Sequence, residues 1–120
     1  MQSRDNRTFI AGEDLSAAQF KFVTLEADGQ VDLADAAGEN AIGVCLAGAA
    51  AGAAVTVCVS GSVMVEAGGA ITAGDQIQTG ADGTALLAAT GDVVLGYARE
   101  DGVDGQIIEI EMIQGGNVAA

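Results

Sequence analysis

Apolar and polar residues alternate along most of the chain. Val55, Val57 and Val59 stand against Thr56, Cys58 and Ser60, and Ile108, Ile110 and Met112 stand against Glu109 and Glu111. A period of two places one set on a buried sheet face and the other on the opposite face. The same reading predicts strands over Phe20 to Leu25, Val31 to Ala34, Ile42 to Leu46 and Ala53 to Val65, then over Gln76 to Thr79, Thr84 to Ala88, Val93 to Ala98 and Gln106 to Ile113. Ala27-Asp28-Gly29 and Ala81-Asp82-Gly83 supply hairpin turns, because Gly reaches positive φ without strain. Gly61 marks a bulge or bend in the longest strand. No window carries an amphipathic helix, and Leu15 to Gln19 and the Ala-rich run 49–54 reach one turn each.

The strands recur as two copies of one pattern. Ala11-Gly12 returns as Ala67-Gly68, Ala27-Asp28-Gly29 as Ala81-Asp82-Gly83, Ile42-Gly43 as Leu95-Gly96, and Gly52 as Gly105. Val55, Val57 and Val59 then fall in phase with Ile108, Ile110 and Met112. Two half-repeats of about fifty residues, roughly 11–66 and 67–113, are each too small to bury a face alone, so they are expected to share one core. The expected fold is all-β, a compact small barrel or sandwich over residues 9–120, preceded by an extended N-terminal arm, residues 1–8.

The repeat also disposes of a membrane reading. Asn40 to Val65 is uncharged and long enough to span a bilayer, yet Leu46, Ala47, Gly48 and Ala51 correspond to Arg99, Glu100, Asp101 and Asp104, which mark a solvated loop. The opening MQSRDNRTFI has no apolar segment of the secretory kind, so synthesis in the cytoplasm is expected.

Charge narrows the partners. Seventeen acids against four bases give a net charge of −13, which disfavours contact with nucleic-acid phosphates. The arm differs from the rest, with Arg4 and Arg7 against Asp5. Enzymatic chemistry lacks parts. There is no His, which removes Ser-His and Cys-His arrangements and the usual zinc ligands. The acid pairs Glu13 with Asp14, Glu100 with Asp101, and Glu109 with Glu111 read as turn and wet-face residues, and aromatics to stack on a sugar amount to 3%. Asp101-Gly102-Val103-Asp104-Gly105 lacks the spacing of an EF-hand loop, and no Gly-rich run forms a phosphate cradle. Cys45 and Cys58 have neither CxxC spacing nor a disulfide-forming compartment, and the match of Cys58 to Glu111 points Cys58 toward solvent or a neighbouring subunit. No catalytic residue, cofactor or metal is expected.

The order of these signals resembles the capsid cement, or head decoration, proteins of tailed phages. The likeness rests on an opening Ala11-Gly12-Glu13-Asp14-Leu15, the Ala27-Asp28-Gly29 turn, Ala41-Ile42-Gly43-Val44, an Ala/Gly loop, Val55-Thr56-Val57, and a second opening Ala67-Gly68-Gly69-Ala70-Ile71-Thr72-Ala73-Gly74-Asp75. Ala18, where a Gly is common, and the two Cys depart from that pattern. The resemblance implies a non-enzymatic virion protein on the capsid exterior that reinforces the shell, with the major capsid protein and itself, as a homotrimer, for partners. Capsid binding is expected of Gln2, Ser3, Arg4, Asn6, Arg7, Thr8, Phe9 and Ile10, and subunit contacts of Val65, Ile71 and the final strand. The competing reading is a duplicated β-clip or barrel-sandwich binding module. Its carrier form needs a Lys at a hairpin tip, whereas the single Lys, Lys21, falls in a predicted strand.

Overall fold

Every predicted strand forms. The structure, a computed structural model that describes residues 4–113, contains β1 (Arg4–Ile10), β2 (Phe22–Leu25), β3 (Val31–Leu33), β4 (Gly43–Cys45), β5 (Ala54–Glu66), β6 (Gln76–Thr79), β7 (Ala85–Leu87), β8 (Gly96–Ala98) and β9 (Ile107–Met112). No helix occurs among the described residues. The strands pair antiparallel in the order β3-β2-β4-β5-β9-β8-β6-β7, with β1 added on β5, and the sheet curls strongly into a half-barrel. Its radius of gyration is 12.8 Å, close to the roughly 13–14 Å of a compact chain of this length.

The two halves are built alike, strand for strand. β4 and β1 flank the first part of β5, and β8 and the second part of β5 flank β9. The register repeats too. Ile10 faces Ala54, Phe9 faces Val55 and Arg7 faces Val57, while Glu66 faces Ile107, Val65 faces Ile108 and Val63 faces Ile110. The structural repeat therefore begins before Ala11. Residues 4–8, expected within the extended arm, form with Phe9 and Ile10 the first strand of the first half, which corresponds to the second part of β5. They pair along β5 of their own chain, because Thr8, Phe9 and Ile10 suit a strand and Phe9 packs on the first-half core.

β5 serves both halves by bending. Its register against β1 slips so that Val59 is left over between Ser60 and Cys58, and Gly61 follows at φ 94°. The Gly43 and Gly96 pair has a different cause. A Cβ on Gly43 would overlap the Cys58 carbonyl oxygen, and one on Gly96 would overlap that of Glu111. The first predicted strand starts late, at Phe22, because Phe20 adopts φ 64°. Its N–H donates to the Cys45 carbonyl at 2.7 Å and its carbonyl accepts from the Glu66 N–H at 2.8 Å, which holds the turn. Gly74 occupies the matching turn of the second half, at φ 92°.

Two buried clusters result. One is the interior of the first half, including Leu15, Val23, Val31, Cys45, Val55 and Val57, with Phe9, Leu33, Ile42 and Ala49 packed against it. The other is the matching interior of the second half, including Ile71, Ile77, Ala85, Ile108 and Ile110, but it contains first-half residues as well: Phe22, Ala34, Ala41, Val44 and Cys58. The first sheet is thus buried on both faces. Three expectations change in consequence. Val65 and Ile71, expected at a subunit contact, are 0% and 4% exposed and pack into this second cluster of their own chain. Cys58 does turn away from the first-half interior, but into the junction between halves rather than toward solvent.

Candidate interaction surface

β1 is the polar version of a strand that is buried in its second occurrence. Asp5, Asn6, Arg7, Thr8 and Ile10 are exposed and Phe9 is half-buried, whereas the matching Val63 and Val65 are buried. Backbone pairing and Phe9 hold the strand in place. The Arg7 guanidinium lies 3.3 Å from the Asp5 carboxylate with both side chains largely in water, an arrangement that contributes little stability.

Beside β1 opens a cleft of about 540 Å³ lined by Asp5, Arg7, Thr8, Phe9, Ile42, Val59 and Ser60. Its floor is apolar and its rim carries one charge of each sign. A smaller cleft of about 380 Å³ adjoins it across Ile42 and is lined by Thr24, Leu25, Glu26, Glu39, Asn40 and Ala41. Of the residues expected to bind the capsid, Arg7, Thr8 and Phe9 thus share one cleft. Asn6 and Ile10 do not line it, and Ile10 is 41% exposed. Arg4 contributes to β1, opposite Gly61, while Gln2 and Ser3 lie outside the described residues. Ile42 and Val59 were read in sequence as strand residues and not as part of a binding site. Their matches, Leu95 and Met112, were legible as core, and the loss of a lid over the first-half copies was not.

The acidic residues are occupied with the backbone. Glu13 accepts the Leu33 N–H, Glu39 those of Asp35 and Ala36, Asp75 that of Thr72, Asp101 that of Ala73, and Glu100 that of Glu109. In a chain whose turns rest on Gly and Asp, carboxylates satisfy loop donors that no ladder reaches. Glu109 and Glu111 flank Arg99, each 3.7 Å from its guanidinium, and Ser62 joins them. Hydrogen bonds from Ser16 hold the Asp14 carboxyl below the ordinary range, and the Thr84 hydroxyl does the same for Asp82. Asp32 goes the other way, raised first by burial and then by the charges of Glu13, Glu26, Asp28 and Asp35. Asp32 lines neither cleft. Among the described residues no group of three or more His, Cys, Asp or Glu is placed to hold a metal ion. Cys45 and Cys58 form no disulfide, are buried on opposite faces of the first sheet, and burial pushes the Cys45 thiol up, away from the reactive thiolate.

Comparison with known proteins agrees with this picture of an all-β body. No curated protein matches the chain. Among solved structures, the N base of the head fiber protein gp8.5 of bacteriophage phi29 shares the fold at a TM-score of 0.73 and 23% identity, covering 92% of this chain and 95% of that one. The phage cement protein family matches residues 1–112. Spanning nearly the whole described chain, that match means that the protein belongs to the phage cement protein family and is a capsid-associated structural protein.

Proposed function

We propose that the protein binds the exterior of a phage capsid through β1, contacts the major capsid protein there, and stabilises the shell as a homotrimer. The observation that carries this reading is the contrast between the two occurrences of one strand. In the second part of β5 Val63 and Val65 are buried, whereas β1 keeps the same backbone pairing with Arg7 exposed and Phe9 half-buried at the matching places, and with Asn6, Thr8 and Ile10 exposed on its other face. A strand held by its own sheet is ready to receive a partner at little ordering cost. Its Arg4 and Arg7 interrupt an otherwise acidic chain, which directs docking to this side and keeps the acidic remainder in solution. A modest affinity per site suffices, since one shell offers many sites.

The test is co-sedimentation with heads that lack the protein. Asn6→Asp combined with Ile10→Asp changes two exposed side chains that lie outside the cleft and is expected to weaken attachment at least about tenfold, the loss of one good anchor. Heads decorated with the native protein are expected to retain their DNA to a higher temperature than bare heads. Undiminished attachment of the double variant would discard β1 as the binding strand.

A further inference from the structure

The two halves meet through unlike surfaces. The outer face of the first sheet, with Phe22, Val44 and Cys58, closes the interior of the second half, where it joins one cluster with Val63, Val65, Leu95 and Met112, and Leu46 packs against that cluster. The packing is not two-fold. A Cβ on Gly83 would meet Leu33 at 2.7 Å and the Phe22 carbonyl at 3.1 Å, whereas Gly29, at the same place in the first half, has nothing within 4 Å. The halves are stacked head to tail.

Head-to-tail stacking leaves one copy of each surface at the ends of the molecule. The second copy of the capping face is Gln76, Tyr97, Arg99 and Glu111, and Tyr97, in the place of Val44, is 38% exposed. The first copy of the capped interior ends in Arg7, Phe9, Ile42 and Val59, the walls of the cleft beside β1. The charges on these ends are complementary. Arg7 is the cation at the cleft, beside Asp5, and the outer face carries Glu109 and Glu111 with Arg99 alone between them. Arg7 replaces Val63 and Glu111 replaces Cys58, two members of one apolar cluster. A copy seated as the first half sits on the second brings these opposite charges to the same junction.

We propose that the cleft beside β1 receives the outer face of the second half of another copy of this chain, so that the packing within the molecule is repeated between molecules. This names the surfaces of the self-association proposed above and rests on it. The contact is heterologous, and three such contacts close a trimer if the rotation between subunits is one third of a turn. Tyr97 supplies a large, amphipathic contact residue, and the polar exchanges keep the separated chains soluble. Asn6 and Ile10, which do not line the cleft, stay available to the capsid.

Sedimentation velocity over a wide concentration range tests the contact, with circular dichroism to verify that each variant is folded. The native protein is expected to associate reversibly. Arg7→Glu and Glu111→Arg are each expected to raise the concentration for half-association at least about tenfold, and the double reversal to recover most of that loss. Tyr97→Ser, on the opposite end and neutral in charge, is expected to weaken association as well. A native trimer indifferent to all three single changes overturns this contact and leaves the homotrimer standing. A native monomer that still binds heads also overturns it, makes both ends solvated caps of a two-repeat stack, and leaves capsid attachment standing.

Discussion

Thr84 donates its hydroxyl hydrogen to Asp82 at 2.6 Å while its own N–H reaches the same oxygen at 3.2 Å, closing the second hairpin turn. Thr84 is buried, so Thr84→Val keeps the shape and removes the hydroxyl bond, with an expected loss of about 1 kcal/mol in chemical denaturation. The pH dependence follows from the direction of the Asp82 shift. Its folded pKa lies below 3.8, so the stabilisation is present above that value and is lost as pH falls through the folded pKa. Asp32 has the opposite sign. With its folded pKa above 3.8 and its Oδ1 buried without a hydrogen-bond partner, ionisation opposes folding, and that penalty grows as pH rises from below 3.8 through the folded pKa. Asp32→Asn is therefore expected to melt higher than the native protein at pH 7, with the gain vanishing in acid. A melting-temperature series from pH 3 to 7 reads both effects, and a gain for Asp32→Asn that persists in acid would refute the electrostatic account. Neither behaviour was legible in sequence. Asp32 in an alternating strand looks like any wet-face acid, and the sequence does not show the close approach of Gly12, which covers the carboxylate so tightly that even a Cβ there would overlap it.

Strands were legible wherever alternation had an apolar face to report. β5 and β9 follow from Val55, Val57, Val59 and Ile108, Ile110, Met112, and the hairpin turns follow from their Asp-Gly pairs. β1 was legible only through the repeat. Phe9-Ile10-Ala11-Gly12 corresponds to Val65-Glu66-Ala67-Gly68, but Asp5, Asn6, Arg7 and Thr8 replace the Gly61, Ser62, Val63 and Met64 of the twin, so polarity concealed a strand that backbone pairing maintains. The reverse error affected Val65 and Ile71, whose side chains gave no sign of which apolar face would be closed by the other half. The two turn glycines make that asymmetry measurable. Gly29 and Gly83 have nearly the same φ, 83° and 82°, so Ala at either position bears the left-handed strain of roughly 1 kcal/mol. Gly83→Ala also drives a methyl into Leu33 and the Phe22 carbonyl, and is expected to lose about 1–3 kcal/mol more than Gly29→Ala. Equal losses for the two variants would mean that the hairpin of the second half does not bear on the first.

Because the first sheet is the lid of the second half, the molecule is expected to unfold as one unit despite its duplicated plan. Each repeat supplies its own inner face, but the interior of the second is closed by residues of the first, Phe22, Val44 and Cys58. β5 adds a covalent reason, since one continuous strand is the last element of one half and the first of the other. Phe22 is the most informative position, fully buried although it belongs to the strand next to the first-half interior and points away from it. Phe22→Ala removes a large side chain between the halves and is expected to cost about 3–5 kcal/mol. If the halves were independent, amide exchange in β9 would keep its native protection while β2 and β4 opened. A shared core requires protection in β9 to fall by the same free energy as in β4, because Ile108 and Ile110 lose the same neighbour that Val44 loses. Such coupling between the halves would serve the proposed stabilisation of the capsid, since a body that yields between its halves transmits no restraint through it.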